Sequence, residues 1–185
     1  SRASTATVLR KAAISAGLVG AAFALDGVIQ PGDEDRIPGE VIEVPGEVAG
    51  AGSFVFGGTA VLAAAGLITG NAEALHTAKD LAVALTATSG SVWLLKYTTH
   101  RERPDGSNHY SFPSGHTAAA ICLYGALAAL VLRGTRAWWR WLVLALAVAL
   151  VVGVAFARLY RGAHHPTDVL ASVAFAVPWL LVTLR

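Results

Sequence analysis

The chain has 185 residues, of which 55% are hydrophobic and only 14% are charged. This length suits a single domain over residues 1–185, and 14 Lys+Arg against 12 Asp+Glu give no basic surface for nucleic acid. Because Cys122 is the single cysteine, the chain cannot form an internal disulfide.

Six apolar segments of helical length follow one another along the chain. None shows the strict alternation of a half-buried strand, and each is apolar around its whole circumference. The sequence therefore predicts an all-α fold of six antiparallel helices and no sheet. The segments span residues 12–25, 48–68, 81–95, 117–132, 141–157 and 169–184.

The connections between these segments differ strongly in composition. Residues 30–47 are acidic and rich in Gly and Pro, which predicts a solvated loop or at most a short surface helix. Residues 70–80 form a short polar break before the third segment. Two polar islands, residues 96–116 and 158–168, interrupt the later apolar segments. If successive helices alternate in direction, both islands fall at the same end of the bundle.

The charge pattern predicts an orientation in a membrane. Alternating helices place the acidic loop and both polar islands at one end and most other basic residues at the opposite end, which fits the positive-inside rule. We therefore expect a multi-pass protein of the cell inner membrane with the islands on the non-cytoplasmic side. The segments are roughly 14 to 21 residues long, at or below the length of a bilayer span, so a large soluble α-bundle is the alternative.

The first island begins with two cations on one face of a helix. Lys96 and Arg103 are seven residues apart, or roughly 10 Å along a helix axis, before Pro104 ends the helix. Two fixed cations in one cleft predict an anion between them. The alternative is that both side chains simply extend to water.

The sequence Pro-Ser-Gly-His at residues 113–116 is typical of a helix start. Ser114 suits the N-cap and Gly115 allows close approach to the backbone, so the helix N-terminus can bind a phosphate. His116 in the first turn would then reach the anion as a proton donor. An ordinary helix cap followed by an incidental histidine is the alternative.

The second island combines Arg158, His164 and Asp168. Near the start of the sixth helix, the Asp168 carboxylate can hold one imidazole nitrogen of His164 and leave the other neutral and nucleophilic. His165 remains open as the nucleophile, although the i,i+4 spacing favours His164. A metal site is the poorer interpretation of the two histidines, because only one carboxylate and no cysteine lie near them.

Together these residues form K-x6-R-P, P-S-G-H and R-x5-H-x3-D, in order and between residues 96 and 168. They resemble the three signature motifs of the type 2 phosphatidic acid phosphatase superfamily, which includes class A acid phosphatases and vanadium haloperoxidases. The resemblance implies a transmembrane helical bundle of that type. One position departs from the pattern, because Ala157 stands where the third motif usually has serine, and we expect this to tune activity rather than remove it.

The resemblance also implies roles for the motif residues. His164 would attack phosphorus to form a phosphohistidine, His116 would protonate the leaving alkoxide and then activate water, and Asp168 would orient His164. No metal or other cofactor would be required. Phosphate contacts are implied for Lys96, Arg103, Ser114, Gly115 and Arg158.

The predicted function is therefore a membrane phosphatase that hydrolyses the phosphate monoester or diphosphate of a lipid, with the lipid substrate and the bilayer as partners. A soluble or periplasmic non-specific acid phosphatase, or a haloperoxidase, would use the same residues. From a different class, a non-catalytic phospholipid binder or transporter is the alternative, although binding alone would not need both histidines and the aspartate.

Overall fold

The structure is a computed structural model that describes Gly50 and residues 52–184. This part of the chain forms five helices and contains no strand, which confirms the all-α prediction. The predicted first helix (12–25) and the acidic loop (30–47) lie outside the described residues. The five helices are α1 (Gly52–Thr69), α2 (Ala72–Thr99), α3 (Gly115–Gly134), α4 (Arg140–Tyr160) and α5 (Pro166–Thr183).

The beginning of α2 differs from the sequence prediction. The prediction of a polar break over residues 70–80 is wrong from Ala72 onward, because α2 already starts there. Asn71 caps the helix, its side chain accepting a hydrogen bond from the backbone N–H of Ala74 at 3.0 Å. Gly70 has a φ of 66°, the left-handed conformation that commonly follows a helix end, so α1 and α2 are joined by a tight turn.

Helix α3 is the centre of the bundle, since it packs against each of the other four helices. Its buried face carries small residues and a few larger ones such as Ile121 and Leu123, which pack against Leu81 and Leu85 of α2 in one core cluster. A β-carbon at Gly125 would overlap the side chain of Leu180 in α5. The absence of a side chain at this position therefore permits the close approach of α3 and α5.

Three of the described helices, α3, α4 and α5, are long and apolar enough to cross a membrane. Helix α4 has the most exposed apolar surface of the three, since only 17% of its most apolar stretch is buried inside the bundle. Large side chains such as Leu142, Leu146 and Val152 are more than half exposed. Such a surface is unfavourable in water and is the surface that a lipid-facing helix presents.

The two polar islands meet at one end of the bundle. The first island, between α2 and α3, is joined by main-chain hydrogen bonds to the second island, which includes the first turn of α5. The N–H of Asp105 donates to the carbonyl of Gly162 at 3.0 Å, and the N–H of Ser114 donates to the carbonyl of Asp168 at 3.1 Å. These bonds fix one island against the other.

Candidate active site

A cavity of about 340 Å³ opens between α1, α2, α3 and the two polar islands. One part of its wall is apolar and includes Phe56, Leu85 and Val92. The polar part brings together five of the eight residues predicted from the sequence. These five residues are Lys96, Arg103, Gly115, His116 and His164. The other three, Ser114, Arg158 and Asp168, are buried in the same region rather than in the cavity lining.

Two cations of the first island lie in the cavity wall. The prediction that they share one face of a helix ending at Pro104 is wrong, because α2 ends at Thr99 and Arg103 lies in the loop that follows it. The ammonium of Lys96, in the last turn of α2, donates to the carbonyl of Tyr110 and lies 3.4 Å from the carbonyl of Ser111. The Nε atom of Arg103 is buried and has no hydrogen-bond partner among the described residues. A buried cationic donor of this kind is suited to an anionic ligand in the cavity.

The start of α3 supplies the backbone part of the site. Ser114 is the N-cap residue, and its hydroxyl accepts a hydrogen bond from the N–H of Thr117 at 3.4 Å. Gly115 is the first helical residue and lines the cavity. The first N–H groups of a helix have no intrahelical acceptor, so this position favours a bound anion.

His164 is held by a backbone carbonyl. Its Nδ1 atom lies 2.7 Å from the carbonyl oxygen of Ser111 and 3.6 Å from Oδ2 of Asp168. Since a carbonyl can only accept, Nδ1 carries the proton and Nε2 retains a free lone pair. His164 and Asp168 are therefore close enough for an ion pair, as predicted, but the hydrogen bond of Nδ1 goes to the carbonyl of Ser111.

Burial lowers the pKa of His164 below its usual value, because the nearly enclosed imidazolium would lose its hydration. The nearby Asp168 carboxylate acts in the opposite direction and raises the pKa of this imidazole, whereas the charges of Lys96 and Arg158 lower it further. The net direction is downward. At neutral pH, His164 is therefore the uncharged form that a nucleophile requires.

Asp168 is fully buried in the first turn of α5 and accepts hydrogen bonds from several donors. Its Oδ1 atom accepts from Nη1 of Arg101 at 2.8 Å. Its Oδ2 atom accepts from the hydroxyl of Ser111 and from the backbone N–H of His165 at 2.8 Å. Sequence reasoning missed Arg101 and Ser111, because these contacts join residues that are 67 and 57 positions apart in the chain.

The neighbouring histidine has a different environment. His165 is the N-cap residue of α5, and its Nε2 atom lies 3.1 Å from the carbonyl of Glu102. Of these two adjacent residues, His164 lines the cavity and His165 does not. Of the two histidines, His164 is therefore the one placed to meet a ligand in the cavity.

The structure thus defines a class of protein: a helical bundle with a cavity at one end that is lined by cations and histidines. Residues 77–185 match the PAP2 superfamily, and the chain belongs to that family. The resemblance inferred from the three motifs is thus confirmed.

Two curated relatives share part of the chain. Lipid phosphate phosphatase delta of Arabidopsis thaliana is 32% identical over 85 residues, which cover 44% of this chain and 20% of the relative. Lipid A 1-phosphatase of Rhizobium johnstonii is 32% identical over 105 residues, which cover 49% of this chain and 39% of the relative. The aligned regions therefore make up less than half of either relative.

A solved structure has the same fold. The crystal structure of a transmembrane PAP2 type phosphatidylglycerolphosphate phosphatase from Bacillus subtilis matches 97% of this chain and 85% of its own chain. The TM-score is 0.66 at 23% sequence identity, which supports the fold. Together with the apolar helices α3, α4 and α5, this similarity indicates a multi-pass membrane protein.

Proposed function

We propose that the protein is a membrane phosphatase that hydrolyses the phosphate monoester or diphosphate of a lipid through a phosphohistidine intermediate. The observation that carries the proposal is the environment of His164. Its Nδ1 is bonded to the Ser111 carbonyl, so its nucleophilic Nε2 is left for the cavity that Lys96 and Arg103 also line. The names of both curated relatives refer to lipid phosphatases, which supports this substrate class.

In the proposed complex, the phosphoryl oxygens lie among the cations Lys96, Arg103 and Arg158 and the N–H of Gly115. Ser114 completes the set. Its hydroxyl accepts from the Thr117 backbone N–H and lies 3.0 Å from the Thr117 hydroxyl, and with Thr117 as the donor in that contact Ser114 keeps its own proton for a phosphoryl oxygen. Fixed donors around the equatorial oxygens stabilise the charge of the transition state. The apolar wall of the cavity would accommodate the beginning of the lipid tail.

The proposed reaction has two steps. In the first, Nε2 of His164 attacks phosphorus in line, the N–P bond forms, and the bond to the lipid oxygen breaks while protonated His116 gives its proton to the leaving alkoxide. In the second, neutral His116 takes a proton from water, the resulting hydroxide attacks phosphorus, and the N–P bond breaks. Phosphate is released, and both histidines return to their initial states.

The proposed mechanism predicts independence from metal ions, because the arginines and the lysine supply the positive charge around the phosphate. We expect the purified protein in detergent to release phosphate from lipid phosphates at an unchanged rate in EDTA. We also expect inhibition by vanadate, which adopts the five-coordinate geometry of the transition state. Activity that EDTA removes and Mg²⁺ restores would contradict this mechanism.

A substrate panel tests the function itself. Phosphatidic acid, a polyprenyl diphosphate and a lipid A phosphate present the same reacting group, and release of inorganic phosphate from at least one of them is expected. Folded protein that binds these lipids without releasing phosphate would instead support the non-catalytic binder.

We also propose that the cavity faces the non-cytoplasmic side of the cell inner membrane. The segment with Ser107 is exposed at the cavity end of the bundle, whereas Gly134 is exposed at the opposite end of α3, where a side chain would meet no neighbouring atom. In a Cys122→Ala background, an impermeant thiol reagent added to intact cells should label Ser107→Cys and leave Gly134→Cys unlabelled. Labelling with the reverse preference would contradict the proposed orientation.

A further inference from the structure

In the sequence, Arg101 lies between the motif residues Lys96 and Arg103, but it is not itself part of the motif. It follows His100, the residue that ends α2 in a left-handed conformation with a φ of 47°. Its guanidinium Nη1 donates to Oδ1 of Asp168 at 2.8 Å and also to the hydroxyl of Thr167. The side chain of Arg101 is 22% exposed, whereas that of Asp168 is fully buried. Arg101 therefore supplies a positive charge directly at a buried carboxylate.

Ser111 connects the same carboxylate to the proposed nucleophile. Its hydroxyl donates to Oδ2 of Asp168, and its carbonyl accepts from Nδ1 of His164 at 2.7 Å. The backbone N–H of Ser111 donates in turn to the carbonyl of Arg101 at 3.0 Å. Arg101, Ser111, Asp168 and His164 are thus linked by a continuous set of hydrogen bonds.

The charge on Asp168 has a direct consequence for His164. A carboxylate 3.6 Å from an imidazole favours the protonated imidazolium, and an imidazolium has no lone pair with which to attack phosphorus. An arginine bonded to that carboxylate opposes the effect, because it offsets the negative charge. The charged and titratable groups around His164 come from all the packed elements: Lys96, Arg101, Arg103, Asp105, His116, Arg158 and Asp168.

We infer that Arg101 is a positioning residue for the proposed phosphoryl transfer. By holding and neutralising Asp168, it keeps His164 uncharged and keeps Nδ1 of His164 on the Ser111 carbonyl, with Nε2 left for the substrate. This role rests on the proposed phosphatase function. It assigns Asp168 a second task, which is to anchor Ser111 and Arg101 as well as to face the nucleophile.

The test is the pH dependence of kcat/KM in an Arg101→Gln variant, with dioctanoyl phosphatidic acid in detergent micelles as the substrate. Without Arg101, the Asp168 charge stabilises the His164 imidazolium, so the pKa of His164 rises. The acid limb of the profile should then move to higher pH by about one unit, with little loss on the alkaline side. Ionisation of the substrate itself is common to all variants and cancels in the comparison.

Two further variants serve as controls. Arg101→Lys retains a cation and should restore most of the wild-type profile. Arg136→Gln removes an exposed arginine at the opposite end of the bundle and should leave the profile unchanged. Thr167→Val removes the hydroxyl that also holds Arg101, so a smaller shift in the same direction is expected, and this variant decides the question if Arg101→Gln does not fold.

An equal loss of activity at every pH, or a shift of the acid limb to lower pH, would show that Arg101 has a merely structural role. The same conclusion would follow from an unshifted Thr167→Val profile where that variant is the deciding one. Absence of hydrolysis by the wild-type protein would instead overturn the proposed function, so the two failures are distinguishable.

Discussion

Replacement of His164 with alanine is expected to abolish turnover, with a loss on the order of 10⁴-fold or more, as seen when an enzyme loses its covalent nucleophile. The reason is that Nε2 of this residue forms the N–P bond in the proposed mechanism. The measurement is phosphate release together with trapping of label from a ³²P-labelled lipid phosphate in an alkali-stable, acid-labile form, as expected of a phosphohistidine.

His165→Ala is the matched control for this experiment. The two histidines are adjacent, but the His165 side chain contacts the carbonyl of Glu102 rather than the cavity. The control variant should retain the label and most of its turnover. Wild-type labelling of the His164→Ala protein, or loss of labelling in His165→Ala alone, would show that His164 is not the nucleophile.

A second large effect is expected for His116→Ala. This residue lies at the start of α3 and lines the cavity together with His164. Without its proton, a lipid alkoxide is a poor leaving group, and we expect turnover of a lipid phosphate to fall by about 10²- to 10⁴-fold, the usual contribution of general acid–base catalysis. The phosphoenzyme should still form from p-nitrophenyl phosphate, because nitrophenolate leaves without protonation. It should accumulate because, in the proposed mechanism, His116 also activates the water.

The diagnostic result is therefore a burst of nitrophenolate in His116→Ala, followed by slow steady-state release. His76→Ala is a suitable control, since His76 is exposed near the start of α2, far along the helix from Lys96. Equal losses on the lipid and the nitrophenyl substrate, with no burst, would argue that His116 binds phosphate rather than transferring a proton.

The sequence predicted the parts of the site that depend on short-range spacing. Ser114 and Gly115 open a helix, and His164 is four residues from Asp168. Local backbone geometry determines such relationships, so a pattern can reveal them. The helical spacing predicted for Lys96 and Arg103 is wrong, because α2 ends before Arg103, and both residues reach the cavity by a different path. The structure brings five of the eight predicted residues into one cavity lining and places the other three in the buried surroundings.

The contacts that sequence reasoning missed are long-range. The hydrogen bond between Ser111 and His164 joins positions 53 residues apart, and its acceptor is a backbone carbonyl that every residue type possesses. No pattern of side chains in the sequence predicts such a bond. Arg101 was likewise indistinguishable from the other cations of its island, because only folding shows which of them contacts the buried carboxylate.

The prediction of helices was limited by a different factor. Hydrophobicity identified the apolar centres of the helices but not the polar first turns of α2, where Glu73, His76 and Lys79 are exposed. Their positions follow from helix propensity and from the Asn71 cap, which extend the helix beyond its apolar segment.

The two segments around the cavity are fastened by side chains such as Arg101 and Ser111, and also by peptide groups, from Asp105 to Gly162 and from Ser114 to Asp168. Peptide groups are the same whatever side chains the chain carries. Exposed positions such as Ser107 and His109 can therefore be exchanged without dismantling the framework that aligns the reacting groups. For engineering of the proposed phosphatase, this separates two tasks: these exposed positions can be varied to suit a new lipid headgroup while the residues that line the cavity stay in place.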